Sequence, residues 1–281
     1  MSLWFIITKE TLTTETQRTP RLHREEVDRE NFHRCGDSHL SNIHLVRHGQ
    51  AGTREAYDSL SGLGRQQSEL LGEYFLANRL EFTVVYSGSM ERQLQTAFGI
   101  KNVYDEAGVS FPWVTVDDQW NEFDLTDIYR ELGPKLCEID EEFRLDYEEM
   151  RLEVKQNIGV MDAKVHRQWR PCDKKMVDAW ISGTLSYSGE TWKQFQERVR
   201  ACLLKVEGVL PRANVLVSTS ATPTGVLTGL ALGLADTRVR QLAGVLYNSS
   251  YTTLRLRDGR LQMFQFNAVP HLTTPELRTF R

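Results

Sequence analysis

The 281 residues are 40% apolar and 26% charged, with a formal net charge of −4, the balance of an ordinary globular chain. No basic excess points to nucleic acid, and no apolar run is long enough to span a bilayer. The cysteines at 35, 137, 172 and 202 form neither a CxxC pair nor a disulfide framework, and read as reduced thiols in a cytoplasmic protein.

Residues 3–7, LWFII, lack the basic flank and small-residue cleavage site of a secretory signal. Residues 1–41 are polar, charged and aperiodic and read as a poorly ordered leader. His33, Cys35 and His39 within it have no second ligand pair at zinc spacing. The folded domain is therefore expected over 42–281. IHLVRHG, 43–49, reads as a strand ending at Gly49. LGRQQSELLGEYFLANR, 63–79, places Leu63, Leu70, Leu71, Tyr74 and Phe75 at helical spacing, with Ser61 as its cap. FTVVYS, 82–87, is a short β-branched and aromatic strand, and MERQLQTAFGI, 90–100, a helix. Strand, helix, strand, helix argues for a mostly parallel sheet covered on both faces.

Residues 125–190 interrupt that alternation with an acidic, helix-prone stretch. An insertion of this size is either a lid that shapes the substrate site or a solvated helical pair. The α/β pattern resumes with NVLVSTS, 214–220, as a strand and PTGVLTGLALGL, 223–234, as a helix. Gly225, Gly229 and Gly233, four apart, point to close helix packing. YTTLRLRDGRLQMFQF, 251–266, reads as a hairpin about Asp258-Gly259.

Ligands of open α/β sheets bind beyond the carboxyl ends of the strands. Those ends carry Arg47-His48-Gly49, Ser87-Gly88-Ser89 with Arg92 just after it, and Ser218-Thr219-Ser220. Arginine forks, hydroxyls and helix N-termini gathered there suit a phosphate, and a histidine beside a bound phosphoryl group can attack and carry it. A metal on His44 and His48 would need a third ligand, and none is evident.

LVRHG, followed by LSGLGRQQ and then VYSGSMERQLQTA, resembles the histidine phosphatase superfamily, in its phosphoglycerate mutase-like branch. The resemblance continues through WNEFD (120–124), YSGETW (187–192) and FNAVPHL (266–272), so it covers about residues 43–272. RHGQA with YDSLSGLGRQQ is especially similar to a bacterial phosphatase-like group. The resemblance implies a three-layer α/β sandwich, His48 as nucleophile, Arg47 and Arg92 as phosphate ligands, and Glu122 as general acid and base, with no metal or organic cofactor. Asp124, two residues on, is the alternative acid.

One departure stands out. The family's second histidine lies in a VSHG stretch, whereas here the chain reads VSTS, with Thr219 and Ser220 in place of His-Gly. A hydroxyl donates a hydrogen bond but carries no charge, a difference of a few kcal/mol on the scale of one lost oxyanion donor. His271 is a candidate to compensate, or else packs the C-terminal segment; Gln50 is a further candidate and His166 a weaker one. The expectation is a phosphomonoesterase acting through phospho-His48 on a small phosphorylated substrate. It has no nucleic-acid or membrane partner, and a homodimer is admissible. The alternatives are a non-catalytic phospho-ligand binder or a mutase.

Overall fold

A computed structural model describes residues 40–208, 212–257 and 259–280. The leader, with His33, Cys35 and His39, lies outside the described residues up to position 39; Ser41 already belongs to the first strand.

Six strands form one sheet: β1 (Ser41–Arg47), β2 (Val84–Ser87), β3 (Val114–Val116), β4 (Asn214–Thr219), β5 (Tyr251–Arg257) and β6 (Arg260–Ala268), in the order β3-β2-β4-β1-β5-β6. The first four run parallel, and β5 and β6 add an antiparallel edge. β1 and β4 sit at the centre, which is why Ile43, Leu45, Val46, Val215, Leu216 and Val217 are fully buried. A strand covered on both faces has no polar alternation, as its sequence shows.

On one face, Val46, Val85 and Leu216 meet α1 (Gly62–Ala77) and α2 (Glu91–Glu106) through Leu71, Phe75, Ala97 and Ile100. On the other, Ile43, Leu45, Val215 and Val217 meet α7 (Trp192–Glu207) and α8 (Ala221–Leu232) through Phe195, Val199, Val226 and Leu227. These are three layers around one sheet, the expected α/β sandwich.

The insertion comprises four helices, α3 (Leu125–Ile139), α4 (Glu141–Gln156), α5 (Lys164–Arg167) and α6 (Pro171–Ser182). It is not a solvated helical pair. Leu132, Phe143, Met176 and Trp180 are buried in the same core as Trp120 and Phe195, and Arg170 pairs with Asp146 and Glu153. A few apolar residues per helix, such as Ile128, Leu132 and Leu136 on α3 and Phe143 and Met150 on α4, seat the acidic stretch on the core.

The glycine spacing in α8 serves packing at two of its three positions. A Cβ on Gly225 would lie 3.1 Å from the Val239 carbonyl oxygen, and one on Gly229 2.5 Å from Val239 Cγ2, so α8 lies tight against α9 (Asp236–Gly244). Gly233, with φ of 65°, instead ends α8 in the left-handed conformation. The hairpin pairs Arg257 with Arg260 across a two-residue turn and runs on to Ala268; Asp258 lies outside the described residues.

Candidate active site

β1 delivers Arg47 and His48 to the carboxyl end of the sheet. The main chain continues the ladder there: the His48 amide donates to the Thr219 carbonyl at 2.9 Å. The chain then turns beneath the first turn of α1, an approach that requires glycine on both sides. A Cβ on Gly49 would lie 2.3 Å from the Gly64 carbonyl oxygen, and one on Gly64 2.1 Å from that of Gln50. The Gly49 amide donates to Thr96 Oγ1 at 3.0 Å, whose own hydroxyl donates to the Arg92 carbonyl at 2.7 Å. The histidine loop and the arginine helix α2 are thus tied together.

The His48 ring is buried, with Nδ1 2.8 Å from the Gly49 carbonyl oxygen. A carbonyl only accepts, so Nδ1 carries the proton and Nε2 keeps a lone pair. Arg92 Nε–H points at that lone pair from 3.2 Å. Burial, then the positive charges of Arg92 and Arg47, hold the His48 pKa well below 6.5, so the ring is a neutral base at physiological pH.

Arg92 donates from Nη1 to Asp58 at 2.8 Å, and its guanidinium lies 5.0 Å from the centre of the Tyr57 ring, cation–π distance. The same ring meets His48 edge-on at 6.4 Å. Arg47 is also buried. It donates to the main-chain carbonyls of Leu246 and Phe280, the latter at 2.6 Å. Burial lowers its pKa, opposed by the Tyr57 phenol and the Glu122 carboxylate. Two guanidiniums and a neutral imidazole therefore converge, with Tyr57 between them.

Glu122 follows β3 and a single 3-10 turn at Asp118–Trp120. It accepts from the amide of Thr222, in the first turn of α8, at 3.1 Å and from the Phe123 amide at 3.2 Å. Burial pushes its carboxyl up, against the pull of those donors and of Arg92. It lines a cleft of about 600 Å³ together with Asn121, Asp127, Tyr187 and Arg198. Asp124, the alternative acid, also lines the cleft, but its carboxylate caps α3 by accepting the Asp127 amide at 3.0 Å.

The remaining candidates fall behind this first ring of groups. The Thr219 hydroxyl donates to the Trp120 carbonyl at 2.6 Å, and Ser220 Oγ accepts from Gln93 Nε2 at 2.8 Å, so each has a partner within the scaffold. Gln50 Oε1 accepts from Ser61 Oγ at 2.8 Å and holds the loop to the start of α1. His271 sits 2.7 Å from Ser249 Oγ and beside the Tyr74 ring, packing the C-terminal segment. His44 lies in the core against Phe82, bonded to Thr253. His166 fixes the insertion, taking the Arg54 amide at 3.2 Å and donating to Asn157. Among the described residues no group of three or more His, Cys, Asp or Glu side chains could hold a metal ion, and no helix is long and apolar enough to cross a membrane.

Sequence reasoning missed Tyr57 and Asp58. Tyr57 and Asp58 stood inside YDSLSGLGRQQ, but no local pattern marks a loop residue as facing two arginines 10 and more than 30 positions away.

The carboxyl ends of the parallel strands thus gather a buried histidine and two buried arginines on an α/β scaffold. Residues 43–157 and 154–269 match the histidine phosphatase superfamily (branch 1), and the chain belongs to it. A search of curated proteins finds no match. Among solved structures, Bacillus stearothermophilus YhfR is similar at 17% identity and a TM-score of 0.55, over 82% of this chain and 98% of that one. Phosphoglycerate mutase from Bacillus anthracis aligns at 15% identity, TM-score 0.51, covering 84% and 96%. Phosphoserine phosphatase from Entamoeba histolytica, solved in complex with 3-phosphoglyceric acid, aligns at 17% identity, TM-score 0.51, covering 83% and 99%. These likenesses establish the phosphoglycerate mutase-like fold.

Proposed function

We propose that this protein is a phosphomonoesterase acting through a phosphohistidine at His48 on a small phosphorylated substrate. The observation that carries the reading is the His48 tautomer: Nδ1–H held by the Gly49 carbonyl, the Nε2 lone pair presented beside Arg92. A neutral imidazole between two guanidiniums suits attack on a phosphate dianion, and phosphoryl transfer is catalysed mostly by positioning and charge.

Nε2 attacks phosphorus in line, and the bond to the ester oxygen breaks. Arg47 and Arg92 stabilise the equatorial oxygens. Glu122, whose carboxyl burial pushes up, gives a proton to the leaving oxygen. The resulting carboxylate takes a proton from water as that water attacks the phosphohistidine. Phosphate leaves, Nε2 regains its lone pair and Glu122 its proton. This sequence needs no metal and no organic cofactor.

Two relatives of the fold, the phosphoserine phosphatase and the phosphoglycerate mutase, bracket the activity class. Hydrolysis is favoured over mutase action because a mutase must retain and turn a bisphosphate, and Thr219 supplies no cation. The same residue supports a second reading, a phospho-ligand binder without turnover, since its hydroxyl already donates to Trp120. Hydrolysis of p-nitrophenyl phosphate with EDTA present, in wild type and His48→Ala, separates them. Chelator-resistant turnover that disappears in the variant is expected; equal rates in both proteins overturn the proposal.

A further inference from the structure

Arg47 is held from behind by the far end of the chain, and that arrangement is built rather than incidental. Its Nη2 donates to the Phe280 carbonyl at 2.6 Å and its Nη1 to the Leu246 carbonyl, while Nε is buried without a partner. Carbonyl oxygens orient a guanidinium without cancelling its charge, which a carboxylate would do. Two of its five N–H bonds go to these carbonyls and the Tyr57 hydroxyl engages the guanidinium as well, which leaves two for a bidentate grip on an oxyanion.

The segment carrying Phe280 is itself seated by side chains that also grip the histidine loop. Gln67 on α1 accepts the Gln50 amide at 2.8 Å with Oε1, and with Nε2 donates to the Leu277 carbonyl at 2.7 Å and to Thr279 Oγ1 at 3.1 Å. Asn248 donates from Nδ2 to the His48 carbonyl at 3.3 Å. It accepts the Thr279 hydroxyl on Oδ1 at 2.9 Å, and its amide donates to the Thr279 carbonyl at 2.7 Å. The Phe280 ring lies against Tyr247, tilted by 31° with centroids 4.3 Å apart. Gln67 and Asn248 are fully buried, while Leu277 and Thr279 on the strap are half-buried, so the loop ends of these bonds are the better shielded from water. Each of the two side chains therefore has one end on the loop that carries the nucleophile and the other on the strap that holds the arginine.

We infer that residues 277–280 form a strap that positions Arg47, and that Gln67, Asn248 and Thr279 are positioning residues that register the strap to His48. The inference rests on the proposed role of Arg47 in holding phosphate. Breaking the strap lets the guanidinium swing from its fixed direction, weakening its grip on the phosphoryl oxygens while leaving His48 and Glu122 in place.

The test is a double-mutant cycle. Residues 277–281 are removed, and in a separate variant Thr279→Val deletes only one hydroxyl, which keeps the experiment readable if the shortened chain fails to fold. Each change is made with Arg47 intact and in Arg47→Gln. Hydrolysis of p-nitrophenyl phosphate and affinity for inorganic phosphate are the readouts. With Arg47 intact, a loss of roughly tenfold in kcat/KM and in phosphate affinity is expected for the shortened chain, the scale of one charge-assisted hydrogen bond. In Arg47→Gln the same changes should cost less than twofold. Equal losses in both backgrounds would make the strap a general scaffold and overturn the inference, as would no loss in either. A third readout is independent of turnover: guanidinium N–H signals of Arg47, assigned by their absence in Arg47→Lys, should be protected from exchange in wild type and lose protection with the strap. Retained protection overturns the strap's role. Wild type that neither hydrolyses the ester nor binds phosphate counts against the proposed function instead, and leaves this third measurement to decide the inference.

Discussion

Arg54 and Asp173 form the buried link between the histidine loop and the helical insertion, and removing one partner should be costly. Asp173 has no exposed side-chain surface and Arg54 only 11%. The carboxylate takes both arms of Arg54, at 3.1 and 2.6 Å, together with the Tyr129 hydroxyl at 2.9 Å and the Arg170 amide at 2.9 Å. Arg54 further donates from Nε to the Val165 carbonyl at 2.5 Å. Arg54→Met keeps most of the side-chain volume but strands the carboxylate, a loss of about 3–5 kcal/mol. For a domain of this size each kcal/mol moves Tm by about 2–4 °C, so a fall of roughly 6–20 °C is expected. Adding Asp173→Asn to Arg54→Met removes the stranded charge and should recover a good part of the loss. Arg54 also lies three residues ahead of Tyr57, so KM for p-nitrophenyl phosphate should rise more than kcat falls. Thermal and urea unfolding of the three proteins measures this. A loss below about 1 kcal/mol in Arg54→Met, or no recovery in the double variant, would refute the view that this pair carries the junction.

Two further outcomes follow from the same geometry. If Glu122 protonates the leaving oxygen, Glu122→Gln should slow an alkyl phosphate by about 10²–10⁴ but p-nitrophenyl phosphate far less, because nitrophenolate leaves unaided; equal slowing of both esters would remove Glu122 from that role. Burial holds His44 and His271 at about 4 against an ordinary 6.5. Between those values the unfolded chain binds protons that the folded chain does not, so stability is full above pH 6.5 and falls toward pH 4. The fall is about 2 kcal/mol per histidine at pH 5. His48 acts in the same direction. Urea midpoints at pH 7.5 and 5.0 should differ accordingly, with a smaller difference in His44→Phe; a midpoint independent of pH would show that these rings are not held neutral.

Much of the architecture was legible because it is written locally. Ile43, Leu45 and Val46 of IHLVRHG mark a strand covered on both faces, and the spacing of Leu71 and Phe75 marks the buried side of α1. Asp258-Gly259 between alternating runs marks the β5–β6 turn. The ladder then requires Arg47 and His48 to emerge at its carboxyl end, beside the residues that follow β2 and β4. Composition left the insertion open between a lid and a solvated pair, since its acidic residues outnumber the apolar ones, such as Phe143 and Trp180, that are buried in the core. It also could not say what Thr219 does in place of a histidine, because a hydroxyl goes to whichever acceptor the fold brings near, here the carbonyl of Trp120.

Residue order alone puts His48, its two arginines and the glycines that let the chain turn at the strand ends. How those groups are held follows from contacts between distant parts of the fold. Arg47 is gripped by carbonyls 199 and 233 positions away, and Gln67 reaches a strap 210 positions on. Main-chain carbonyls are the same on every residue, so nothing in the identity of Leu246 or Phe280 announces the bond; packing of the described residues around one sheet brings it about.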